Sequence, residues 1–156
     1  MNGRWDHLTA GSFSAGQLEN FANAMEHGEA NHLTQLVGIQ VIDTVARRVP
    51  SSLAGTGWSS PTMIDAMHGL LDQLIPSMRN RVQYISIGNE VDLYFEERPQ
   101  DELDTYRAFC DDAARYLRQH LPGVQVGITV PAGGWLGADV QRWLDLSVGR
   151  DVMTVR

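Results

Sequence analysis

Apolar residues recur along this chain in two alternating rhythms, one helical and one strand-like. Leu18, Phe21, Ala22 and Met25 fall on one helical face, and Gly28 follows as a stop signal. Leu36 to Ile42 is an apolar run rich in β-branched residues, which predicts a strand. A long loop, Val45 to Ser60, ends in Ser60-Pro61, an N-cap followed by proline at the first helical position. Ile64, Met67, Leu71 and Leu74 continue that helix, and Pro76 predicts its end. Val82 to Gly88 predicts the next strand, and Val91 to Gln100 a second loop. A helix follows over about Asp101 to His120, with Leu103, Tyr106, Phe109, Cys110, Ala113 and Leu117 as its apolar stripe. Leu121-Pro122-Gly123 ends it. Val124 to Val130 reads as a strand, Val140, Trp143 and Leu144 mark a short helix, and Val152 to Val155 begins a further strand.

The order is thus β-α-β-α-β-α-β after a leading helix, the arrangement of parallel strands joined by crossovers. No linker or low-complexity stretch divides it, so residues 1–156 are expected to form a single domain. Strand faces help to choose between an open sheet and a closed barrel. Val37, Ile39 and Val41 oppose Gly38 and Gln40; Ile85 and Ile87 oppose Ser86 and Gly88; Val124, Val126, Ile128 and Val130 oppose Gln125, Gly127 and Thr129. Open parallel sheets are aliphatic on both faces. One aliphatic face and one small or polar face suits a (β/α) barrel, with helices outside and a tightly filled interior. An α/β fold of the parallel (β/α) barrel type is therefore predicted. Continued regularly, the same alternation aims Glu90 inward.

Composition removes several alternatives. The net charge of −7, from 12 Lys+Arg and 19 Asp+Glu, argues against a nucleic-acid or anionic-membrane surface. No run reaches the 18 or so apolar residues of a membrane span, and the first residues lack the basic and apolar regions of a signal peptide. Cys110 is the only cysteine, which excludes an intrachain disulfide and a thiolate metal site. The five histidines have no metal-type spacing, and Gly133-Gly134 lacks the context of a dinucleotide site. No cofactor or metal is expected.

Candidate chemistry gathers at the predicted strand ends. The run Val82 to Gly88 delivers Asn89 and Glu90 side by side, an amide and a carboxylate at a tip where barrel enzymes carry their catalytic groups. The bland alternative is that the pair caps a loop. Asp43 and Thr44 end the preceding strand and belong on the same rim. Asp43 is a candidate substrate ligand or an ion-pair partner of Arg47 or Arg48, and alternation requires a bulge to aim it inward. Trp58, Tyr94, Phe95 and Trp135 lie in or beside post-strand loops, where aromatic faces stack on sugars or pack locally; Trp135 is the favoured stacking residue. Glu96, Glu97, Asp101, Glu102 and Asp104 read as a solvated acidic face at a helix start.

With Gly88-Asn89-Glu90 placed at a strand end, the chain resembles the middle of a clan A glycoside hydrolase, a (β/α)8 barrel that cleaves β-glycosidic bonds with retention. In that clan Asn-Glu closes the fourth strand. The resemblance implies Glu90 as general acid/base and Asn89 as the ligand of the sugar 2-hydroxyl. It makes the strand ending in Asp43-Thr44 the third, Val124 to Val130 the fifth and Val152 onward the sixth, with Trp5-Asp6-His7-Leu8 and Gly11 resembling the loop after the second. The family's nucleophile, a Glu at the end of the seventh strand, has no counterpart here. A partial barrel truncated at both ends is therefore expected, inactive by itself, from a parent acting on an oligo- or polysaccharide. Its exposed sheet edges are expected to favour self-association. A non-catalytic carbohydrate-binding module on the same fold and an unrelated open-sheet enzyme remain as alternatives.

Overall fold

The computed structural model describes residues 2–5, 13–131, 140–147 and 152–154. A three-residue strand, β1 (Asn2–Arg4), precedes the first helix, α1 (Ala15–Ala30). This strand escaped the sequence reading because Asn-Gly-Arg carries no apolar pattern. Ser14 starts α1 with a capping box: its backbone N–H donates to Gln17 Oε1 at 2.8 Å, and its hydroxyl accepts from the Gln17 N–H at 3.3 Å. Strand β2 (Leu36–Asp43) turns back into a two-residue antiparallel strand, β3 (Ala46–Arg47).

Helix α2 (Pro61–Met78) begins at Ser60-Pro61 as expected but runs through Pro76 for two further residues. Proline removes the bond to the carbonyl four residues back, that of Asp72. Pro76 and Asp72 are both exposed, whereas Ile75 and Met78 are buried. The broken bond thus faces water while the continued turn fills the core. Strand β4 (Tyr84–Asn89) is followed at once by a five-residue helix, α3 (Val91–Phe95), where a loop was expected. Four of its five residues are buried, so tertiary packing overrides a weak local signal. Helix α4 (Gln100–His120), strand β5 (Gln125–Thr129), helix α5 (Val140–Ser147) and strand β6 (Val152–Thr154) complete the described chain.

The sheet order is β1-β2-β4-β5-β6, every neighbour in that path parallel, with β3 attached to β2. The aliphatic strand residues Val37, Ile39, Val41, Ile85, Ile87, Val126 and Ile128 share one buried cluster with Met63, Leu71 and Leu74 of α2 and Tyr106, Phe109 and Leu117 of α4. On the opposite parity, Ser86 and Thr129 join their hydroxyls at 2.7 Å between β4 and β5. At the start of the strands, the buried Gln35 side chain donates to the Met25 carbonyl at 3.0 Å and to the Arg81 carbonyl at 3.2 Å. Its own N–H donates to Gln83 Oε1 at 2.7 Å. This clasp fixes the relative height of β2 and β4 from below. Outside the sheet, α2 and α4 are joined by His68 and Asp112 at 2.6 Å and by Tyr116 donating to Asp72 at 2.5 Å.

Candidate functional site

The register between β2 and β4 is regular from Leu36 opposite Tyr84 to Ile39 opposite Ile87, and resumes at Asp43 opposite Asn89. Gln40 to Ile42 therefore face only Gly88. The bulge adds two residues to β2, an even number, so it sets Asp43 beside Asn89 but does not by itself turn Asp43 to the other face.

Gly88 is needed for two reasons. Its φ of +86° lies in the left-handed region that glycine adopts freely. A Cβ there would also meet the Tyr106 hydroxyl and lie 2.6 Å from Val91 Cγ1. The Tyr106 hydroxyl donates to the Ile87 carbonyl at 2.9 Å, so helix α4 supports the strand immediately beneath the glycine. Alternation thus breaks at Gly88. The strand extends to Asn89, and Glu90 sits beyond it with φ 52° and ψ 49° rather than in an extended conformation. Its orientation follows from this turn and not from the regular pleat.

Four side chains meet at the two tips. Asn89, 7% exposed, donates from Nδ2 to Asp43 Oδ1 at 3.1 Å. The Thr44 hydroxyl donates to Glu90 Oε2 at 2.8 Å, and the Thr44 N–H donates to the Asn89 carbonyl at 3.0 Å. Asp43 Oδ2 lies 3.9 Å from Arg48 Nε, both side chains being partly exposed, so this long ion pair is a weak one. Glu90 precedes α3 but makes no capping bond to it. Its described side-chain bond goes across to the neighbouring strand end instead.

Three of the post-strand aromatics follow the local-packing alternative. Trp58, Tyr94 and Phe95 are 1%, 4% and 0% exposed, and they pack into one aromatic cluster with Tyr106 and Phe109. Trp58 meets Tyr106 edge-on at 5.0 Å, with the Arg47 guanidinium 4.0 Å from the indole centre. Arg47 also donates to the Thr56 carbonyl. Tyr94 donates to Glu102 Oε1 at 3.0 Å, and burial, then this bond, pushes its phenol up to about 12. Glu102 is accordingly a partner of the cluster as well as part of the acidic face. All three rings are turned into the core and away from solvent. They form the floor on which the tip of β4 rests. Trp135 lies outside the described residues.

Asp92 was not singled out by the sequence reading. It is 4% exposed, and its Oδ1 has no hydrogen-bond partner among the described residues. Burial, first of all, pushes its carboxyl above the ordinary range, against the pull of backbone N–H groups at Leu93 and Asp92 itself. Its one signal in the sequence is position, two residues past a candidate carboxylate. Among the described residues no group of three or more His, Cys, Asp or Glu is arranged to hold a metal. None of the described helices is long and apolar enough to cross a membrane.

No protein-family profile and no curated protein matches this chain. Solved structures do. The chain is similar to the β-glycosidase BGL167, with a TM-score of 0.72 and 16% identity over 99% of this chain and 49% of that one. It is similar to the exo-β-1,4-mannosidase Op5Man5 from Opitutaceae bacterium strain TAV5, with a TM-score of 0.68 and 18% identity over 99% of this chain and 30% of that one. A GH5_18 variant from Streptomyces cattleya, solved in complex with Manb1-4GlcNAc, gives 0.61 and 12% over 79% of this chain and 32% of that one. The chain thus spans between about a third and a half of the length of these proteins. At such identities the likeness establishes the fold: this is part of the (β/α) barrel found in glycoside hydrolases, and not an open doubly wound sheet.

Proposed function

We propose that this chain carries the acid/base side of a retaining glycoside-hydrolase active site that acts on β-linked glycans, with Glu90 as the general acid/base. The observation that supports this most is local. A carboxylate stands at the C-terminal tip of a parallel barrel strand, beside an amide, held by a hydrogen bond from the neighbouring tip. The partial barrel fold, shared with a β-glycosidase and an exo-β-1,4-mannosidase, supports it further.

In this reading Glu90 gives its proton to the leaving glycosidic oxygen as the C–O bond breaks. The resulting carboxylate then takes a proton from the water that attacks the glycosyl intermediate. Asn89 hydrogen-bonds the sugar 2-hydroxyl, with its amide orientation set by Asp43 through the 3.1 Å bond. Asp43, already engaged by Asn89 and facing Arg48, therefore serves substrate binding by fixing its ligand. Trp135 remains the proposed stacking residue. Retention requires a second carboxylate about 5–5.5 Å from the first. The acidic residues of α4 do not suit that role, since they lie on a helix and not at a strand end. The nucleophile belongs to a strand other than those described, which the family resemblance puts seventh.

The test is hydrolysis of aryl β-glycosides by a protein that supplies the complete barrel, with and without Glu90→Gln. Loss of the general acid should lower kcat by about 10²–10⁴-fold. Unchanged turnover in the variant would sink the assignment. Sugar binding that survives Glu90→Gln in a protein without hydrolytic activity would favour the non-catalytic module instead.

A further inference from the structure

Four non-glycine residues in the described chain have positive φ: His32, Thr44, Asn80 and Glu90. Two of them have an ordinary explanation. His32 follows the C-cap of α1 at Asn31, and Asn80 follows the C-cap of α2 at Arg79. A left-handed residue at that point is a common way to end a helix. Thr44 and Glu90 are different. Each stands one residue beyond a strand, β2 and β4 respectively, and the two are hydrogen-bonded to each other. Thr44 is also β-branched, which makes its φ of 56° a true conformational outlier. A turn of this kind between β2 and β3 favours glycine or asparagine. The sequence instead places threonine there, and its hydroxyl meets Glu90 Oε2 at 2.8 Å.

We propose that Thr44 is a positioning residue for Glu90: the strained backbone at the tip of β2 is kept because it carries a hydroxyl to one oxygen of the Glu90 carboxylate. Two bonds hold the arrangement, the hydroxyl on Oε2 and the Thr44 N–H on the Asn89 carbonyl at 3.0 Å. With Oε2 occupied by a donor, the carboxyl group is fixed in rotation about its last side-chain bond. The oxygen left to carry the exchanging proton is Oε1. This rests on the reading of Glu90 as acid/base only for its catalytic consequence; the clamp itself is a statement about Glu90 alone.

Two substitutions separate the hydroxyl from the backbone. Thr44→Gly suits the left-handed conformation and removes the donor. Thr44→Ser keeps the donor without the β-branch. The primary readout is the Glu90 side-chain carboxyl carbon resonance in this chain labelled at glutamate, assigned by its disappearance in Glu90→Gln. The resonance should move in Thr44→Gly and return to its wild-type position in Thr44→Ser, while the glycine variant melts no lower than the wild type. A Glu90 resonance unmoved in Thr44→Gly, or displaced equally by both substitutions, would overturn the proposal. The second readout is hydrolysis of an aryl β-glycoside by the complete barrel. There kcat should fall about tenfold in Thr44→Gly with KM nearly unchanged, and recover in Thr44→Ser. If the resonance responds as expected while Glu90→Gln leaves hydrolysis intact, the clamp stands and the acid/base reading falls.

Discussion

At the scale of single residues, Asp92 and Glu90 show how two carboxylates two positions apart come to different environments. Glu90 has a hydroxyl on one oxygen and partial access to water. Asp92 is buried with one oxygen unpartnered among the described residues, and burial raises its carboxyl above its ordinary value of 3.8. A folded state that holds a proton more tightly than the unfolded chain gains from it at low pH. That contribution is complete below 3.8 and is lost as pH rises through the higher folded value. Asp92→Asn cannot ionise. Thermal unfolding should therefore show it more stable than the wild type at pH 7, with the difference shrinking as pH approaches 4. A gap that widens on acidification would contradict this burial account. The candidate carboxylate itself was legible in the sequence, because an apolar β-run ending in Gly-Asn-Glu announces where its last residues must lie. Its partner was not. Thr44 and Glu90 are 46 positions apart, and their bond depends on a bulge and two left-handed turns that alternation does not encode.

At the scale of elements, periodicity found the long helices and the buried strands because each presents a sustained apolar face. It failed where burial is compact and local. Val91 to Phe95 is too short to show a helical period, yet four of its residues reach the core. Trp58 lies in a loop, where exposure is the usual rule, but it is 1% exposed and wedged against α4. Together with Tyr94, Phe95, Tyr106 and Phe109 it supports the strand tip from the helix side. Trp58→Ala should accordingly destabilise the fold by about 3–5 kcal/mol, the range for emptying a large buried aromatic site. A denaturant titration of the two proteins checks this. A loss under about 1 kcal/mol would mean that the loop closes over the vacancy.

At the scale of the whole molecule, the parallel sheet runs from β1 to β6, and each of these outer strands is three residues long. Short outer strands moderate association but leave main-chain donors and acceptors available along them. On its own, this 156-residue chain should elute in size-exclusion chromatography as a concentration-dependent mixture of monomer and larger species. A single monomeric peak at every concentration would count against edge pairing. The barrel type was legible from the contrast between an aliphatic and a small or polar strand face, because that contrast is a property of the whole sheet. What lay beyond it was how the rim is carried. The ladder between β4 and β5 pairs through Ser86 opposite Gly127, whereas Tyr106 of α4 reaches the carbonyl of Ile87 above that point. The last residues of β4 are thus held from two sides, by Tyr106 of α4 at the Ile87 carbonyl and by Asp43 and Thr44 of the neighbouring tip at Asn89 and Glu90. Glu90 stands on a bracket with one foot on β2 and the other on α4, beyond the last main-chain rung that β5 shares with β4.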